Sequence, residues 1–257
     1  MRRYLGMCAS VMLLSACSGN EPAAVGLSTR VGAAKSGAAV PGQTAQRLET
    51  SNGITVERIR LSVKELDLEL EGDDDDDGLS GESGSSDTEA ADDHDERETG
   101  PFIIDLSGQE LEGKVVQLSN VQVEPGIYDE IEFGIEKVSI EDAGDDAGLK
   151  EMAQQEASVI IDGRIDGQPF SFVSSLTVEQ EREARFEVKA EDGQNVTINI
   201  DPSTWFTGPD GQRLDPREDE SRSAIEESIK KSIDAFDDDD HDGGEDHDDE
   251  DDEGSED

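Results

Sequence analysis

The chain predicts a mainly β fold, a single antiparallel β-sandwich of about eight or nine short strands with one C-terminal amphipathic helix. Three observations carry this. From Ile54 onward apolar residues recur at every second position, the apolar stretches are short, and Gly-, Pro- or Asp-containing breaks separate them. The sandwich is expected over residues 50–236 as one domain, with an acidic insert at 73–98 and an acidic tail at 237–257, both expected to be disordered.

The chain opens with Arg2-Arg3, an apolar run from Tyr4 to Leu14, and Leu14-Ser15-Ala16-Cys17. A basic start, a brief hydrophobic stretch and small residues are the order of an export signal, expected over residues 1–16. The apolar run is well short of the roughly 20 residues that a spanning helix needs. Leu-Ser-Ala-Cys resembles the lipobox of bacterial lipoproteins, which implies cleavage before Cys17 and lipid on its thiol. An ordinary soluble secretory signal is the alternative, although it has no use for a cysteine at this place. Cys8 lies in the leader, so Cys17 would be the sole cysteine of the mature chain, and no disulfide framework is available. The layout resembles that of bacterial lipoproteins with a small all-β extracytoplasmic domain. The resemblance implies a location in the cell envelope, anchored to the membrane through lipid. Ser18, where some bacteria place an Asp to retain lipoproteins in the inner membrane, slightly favours the outer membrane.

Residues 17–49 are expected to form the lipidated cysteine and a flexible tether, because Ser18 to Gln46 is rich in Ala, Gly, Ser and Pro. A coil of that length typically reaches about 30 Å, enough to hold the domain clear of the headgroups. Ile54 and Val56, then Ile59, Leu61 and Val63, then Leu66, Leu68 and Leu70 form alternating sets with a one-residue slip between them. Such slips suggest β-bulges or a strand that changes sheets, although Arg60 to Leu70 also contains good helix formers. Further strands are expected at 102–106, 115–118, 128–138, 158–165, 170–176, 185–190 and 196–200, with Asp166-Gly167 as a two-residue hairpin turn. A helix is expected over 223–236, with Ser223 and Glu226 at capping-box spacing and Ile225, Ile229, Ile233 and Phe236 on one face. Asp215-Pro216 with Glu218 offers an earlier start. Trp205 and Phe206 are expected as a hydrophobic plug on the sandwich.

Acidic residues number 66 against 21 basic ones, and 27 of the 45 net negative charges lie in two runs, Asp73 to Glu98 and Asp237 to Asp257. Such blocks bury too little apolar surface to offset the entropy of ordering them. This charge disfavours nucleic acid by repulsion. All three histidines, His94, His241 and His247, fall in the acidic runs. The expected core therefore lacks an imidazole for a Ser-His-Asp triad, a His-ligated zinc site or a histidine base, and the chain is expected to be non-catalytic. No Gly-rich phosphate loop is present, and aromatic residues make up only 4% of the chain, too few for a visible stacking platform.

Asp238, Asp240 and Asp242 followed by Gly243 read Asp-x-Asp-x-Asp-Gly, which resembles the first half of an EF-hand or dockerin-type calcium loop, a pattern that also arises readily in an Asp-rich tail. Continuing the register puts Asp246 at the ninth position and Asp249 at the twelfth. The pattern departs from that family at Glu245, where an apolar residue is usual, at Asp249, shorter than the bidentate Glu, and in the absence of an exit helix. The leading expectation is an envelope protein that binds or displays an unidentified protein or ligand, with no resident cofactor and weak, diffuse binding of divalent cations by its acidic segments. The alternative is a calcium-dependent binding or adhesion module with a formed loop.

Overall fold

The computed structural model of the protein describes residues 22–32, 48–50, 52–71, 99–189, 193–238 and 240–245. The leader, Cys17, the acidic insert at 73–98, Asp246 and Asp249 lie outside the described residues. Eleven strands are described: β1 (Ala23–Val31), β2 (Leu48–Glu49), β3 (Ile54–Leu70), β4 (Phe102–Ser107), β5 (Val116–Val123), β6 (Gly126–Ile135), β7 (Val159–Ile165), β8 (Gln168–Ser174), β9 (Val178–Val188), β10 (Asn195–Ile200) and β11 (Ile233–Asp237). Two α-helices, α1 (Ala147–Gln154) and α2 (Asp219–Lys230), accompany them.

The molecule is mainly β and its strands form two sheets that share one core. Sheet A has the order β11-β10-β1-β5, and sheet B has the order β8-β7-β3-β6-β9 with β2 and β4 also paired to β3. Pairing is antiparallel except between β1 and β10, which run parallel. Val25, Leu27, Val196, Ile198 and Ile200 of sheet A meet Ile59, Leu61, Leu66, Ile131 and Phe133 of sheet B in that core. The alternation predicted from Ile54 onward produces β3, whose slips are bulges. Its register against β7 shifts between Val56 and Arg58, and its register against β6 shifts between Val63 and Glu65. Each bulge restores the apolar set to the core face after an extra residue. Asp166 and Gly167, with φ of 51° and 77°, make the tight β7–β8 turn that needs two positive φ values.

Three expectations are corrected. The segment expected as tether contains β1, which pairs with β10 on one side and β5 on the other and buries Val25 and Leu27 completely or nearly so. Its Ala, Gly and Ser content concealed an alternation of Ala23, Val25, Leu27, Thr29 and Val31. The expected helix at 223–236 begins earlier, at Asp219, and ends at Lys230, because Ser232 bonds back to the Ile229 carbonyl and the chain then extends to pair with β10. Ile225 and Ile229 dock the helix on the core as predicted, whereas Ile233 and Phe236 belong to β11. In the tail expected to be disordered, Asp237 ends β11, Asp238 is buried, and residues 240–245 form a turn.

Helix α1 was not anticipated. Asp146 caps it by accepting a hydrogen bond from the Leu149 amide at 2.8 Å, and Leu149 and Met152 pack on the outer face of sheet B beside Ile103 and Ile160. Arg60, only 5% exposed, ties the helix down by donating to Glu151 at 2.9 Å and to Asp162 of β7 at 2.7 Å. Trp205 and Phe206 are fully buried, Trp205 donating to the Ser232 hydroxyl and Phe206 meeting Phe170 edge-on at 5.7 Å. The predicted plug is therefore part of the core at one end of the sandwich.

A strand in the centre of a sheet has energetic consequences that a tether lacks. Leu27→Ala should cost about 3 kcal/mol, within the range for buried leucines, as measured by chemical denaturation. An unchanged midpoint would mean that β1 is not part of the folded domain.

Candidate functional site

Asp238 and residues 240–245 lie against the outer face of sheet A. Asn195, Thr197 and Asn199 alternate with the core residues Val196, Ile198 and Ile200, so they face away from sheet B. Ser28 stands opposite Thr197, and Arg30 opposite Asn199. Ser28, Asn195 and Thr197 are at most 1% exposed, although they point out of the sandwich. Polar groups so deeply buried need partners, and they form a chain that ends on the acidic segment. The Ser28 hydroxyl donates to Asn195 Oδ1 at 2.9 Å, the Asn195 amide donates to Thr197 Oγ1 at 3.0 Å, and Thr197 donates to Asp238 Oδ2 at 2.6 Å.

Asp238 is fully buried, and its carboxylate also accepts the Gly243 amide at 3.0 Å. The turn between them is built from side-chain to backbone bonds. Asp240 Oδ1 accepts from the Asp242 amide at 3.0 Å, and Asp242 Oδ1 accepts from the Gly244 amide at 2.6 Å. Gly243 has φ of 80°, a conformation that favours glycine, and a Cβ there would come within 2.6 Å of the Arg30 side chain, which would have to move. Arg30 donates to the Gly243 carbonyl and, through Nε, to Asn199 Oδ1. Arg182 of β9 bridges Asp234 of β11 and Glu245, fastening the far end of the turn to sheet B.

The carboxylates of Asp238, Asp240 and Asp242 each bring an oxygen within 4.8 Å of the others. Two oxygens that share one calcium ion at about 2.4 Å are at most about 4.8 Å apart, so this spacing suits a single ion. Of the five residues singled out in the sequence as ligands, these three come together in the predicted register. Asp246 and Asp249 lie outside the described residues, and Glu245 turns to Arg182. Three carboxylates leave the remaining ligand positions of a calcium ion to backbone carbonyls and water, a composition that belongs to weak sites.

A second acidic group was not anticipated. On the outer face of sheet B, Asp67, Glu132 and Glu181 form one cross-strand row, and Glu69, Glu130 and Glu183 form the next. Oxygens of Glu69, Glu130 and Glu132 also lie within 4.8 Å of one another. The two groups differ in how their spacing arises, from strand register in the rows and from local side-chain to backbone bonds in the turn. The alternating acids of β6 and β9 were visible in the sequence, but only the register between three strands stacks them. Partial burial, reinforced by the charges of Glu69, Glu181, Glu132 and Asp129, pushes the Glu130 carboxyl above the ordinary glutamate range.

A raised pKa in the fold means that the folded chain takes up this proton at a higher pH than the unfolded chain. The penalty on folding is full at neutral pH and is relieved as pH falls through the folded-state pKa. Glu130→Gln should therefore stabilise the protein by about 0.5 kcal/mol at neutral pH, the scale of like-charged cross-strand pairs. The gain should shrink as the pH is lowered into the carboxylate range; thermal melts at several pH values measure it, and destabilisation at neutral pH would contradict it.

Comparison with protein-family models, with curated proteins and with solved structures finds no match to this chain.

Proposed function

We propose that this chain is a non-catalytic, lipid-anchored protein of the bacterial cell envelope, whose β-sandwich presents a divalent-cation loop formed by Asp238, Asp240 and Asp242. The observation that carries the cation reading is the burial of Asp238. Its carboxylate is fixed by Thr197 and Gly243, and two further carboxylates converge on it, so the segment is organised before any ion arrives. Preorganisation favours a discrete site over diffuse condensation on a flexible polyanion. Calcium, a hard cation served by oxygen ligands, is the ion that this donor set suits. The anchoring reading rests on Leu14-Ser15-Ala16-Cys17 after a basic, briefly apolar start. A binding role fits a core without histidine and a mature chain with a single thiol.

Calorimetric titration of the mature chain should give one calcium site with Kd of about 10⁻⁴ M, in the class of extracellular calcium modules. Asp240→Asn combined with Asp242→Asn should abolish it while leaving Asp238 and the fold intact. Many weak, salt-sensitive sites that survive the double substitution would instead support diffuse binding by the acidic runs. For the anchor, Cys17→Ser should remove lipid labelling and release the protein from the membrane fraction; unchanged labelling and fractionation would reject lipidation at Cys17.

A further inference from the structure

We propose that the end of the sandwich where β1 begins lies against the lipid surface, and that the end bearing the Asp166-Gly167 turn points away from it. The inference rests on lipidation at Cys17. Its structural basis is the position of β1, since Ala23 is 1% exposed and already paired with Val123 of β5. Six residue steps separate Ala23 from Cys17, and an extended chain advances at most about 3.6 Å per residue. Cys17 therefore lies no more than about 22 Å from the start of β1. Acyl chains on Cys17 must sit in the hydrocarbon, which holds the cysteine at headgroup level. The roughly 30 Å reach expected of a long tether is replaced by a short leash.

Strand pairing identifies what shares that end. Val123 leads through Glu124 and Pro125 into β6, Gly126 stands opposite Val188 at the end of β9, and Gly193 precedes β10. The β3 terminus belongs there too, since the Glu71 amide donates to the Ile127 carbonyl. At the opposite end are the β7–β8 turn, the start of β3 and the Trp205-Phe206 loop, joined by the Arg213–Asp166 pair and by Asn52 donating to the Phe206 carbonyl. The nine residues of β1 alone put about 30 Å between the two ends.

Charge opposes the domain lying on a side. The outer face of sheet B carries the two rows of carboxylates, and the outer face of sheet A is overlaid by Asp240, Asp242 and Glu245, all exposed. Either broad face would meet the phosphates of an anionic leaflet with like charge. The β1 end is acidic as well, with Glu71 and Glu124 there and the Asp73 to Glu98 run next in sequence after β3, so charge does not choose among the surfaces and the short leash sets the orientation. Magnesium is included in the test to offset this repulsion.

The test uses the purified lipidated chain in phosphatidylethanolamine–phosphatidylglycerol vesicles with magnesium, with a nitroxide on a fraction of the headgroups. Single fluorophores are placed at Gly193→Cys, where an added Cβ meets nothing within 4 Å, or at the exposed Asp210→Cys of the opposite end. Quenching should be several-fold stronger at position 193 than at 210. A Gly-Ser insertion of about 20 residues between Glu21 and Pro22 should weaken it toward the value at 210. Equal quenching at the two positions, stronger quenching at 210, or indifference to the insertion would overturn the orientation while mass spectrometry still finds diacylglyceryl on Cys17. Absence of that mass, with no vesicle binding, would overturn the anchor and the orientation with it.

Discussion

The structure depends on the insertion of β1 between β5 and β10. Without it, sheet A would separate into β5 on one side and the β10–β11 pair on the other, and the core face of sheet B would lose its cover. Burial of Ala23, Val25, Leu27 and Val31 supplies the apolar contribution. The parallel pairing with β10 joins segments more than 160 residues apart in sequence. A pairing so distant is costly in chain entropy and has to be offset by burial and hydrogen bonding across a whole strand. Ser28 and Arg30, on the opposite face of the same strand, begin the contacts that hold the acidic turn. One strand thus links the chain's N-terminal region, the core and the candidate cation site.

That linkage explains how a strongly acidic segment acquires a fixed conformation. In isolation, Asp238 to Gly243 would be repelled into an extended chain, because adjacent carboxylates lie well within the screening length of physiological salt. Here Asp238 exchanges hydration for Thr197 and the Gly243 amide, and Arg30 and Arg182 hold the turn at two further points. Hydrogen bonds to a charged carboxylate contribute more than those between neutral groups, which offsets its burial. The buried chain from Ser28 through Asn195 to Thr197 is satisfied member by member, and so it orders the segment rather than weakening the sheet.

The two acidic groups illustrate different uses of the same side chain. In the turn at Asp238 the carboxylates cap backbone amides, and their spacing follows from local hydrogen bonding. In the rows on sheet B the spacing is imposed by strand pairing, and Glu130 responds by holding its proton more tightly. Like-charged neighbours directly across a ladder oppose pairing, and the fold tolerates them because Leu66, Leu68, Ile131 and Phe133 are buried on the other face of the same strands.

The sequence by itself determined what depends on neighbours along the chain. The alternation of Ile54 to Leu70 with its slips gave β3 and its bulges, Asp166-Gly167 gave a hairpin, Ile225 and Ile229 gave a docked helix, and Asp-x-Asp-x-Asp-Gly gave the register of three converging carboxylates. Tertiary structure alone decided what depends on partners far away. Ala23 to Val31 looks like a linker by composition, because Ala, Gly and Ser become strand residues only when β5 and β10 flank them. Ile233 and Phe236 fit a helical stripe until β10 offers a ladder, and the pairing then overrides the local period. Neither the rows of carboxylates nor the burial of Asp238 is written in any short window, since register between strands and the cover provided by a distant surface arise only when the chain has closed on itself.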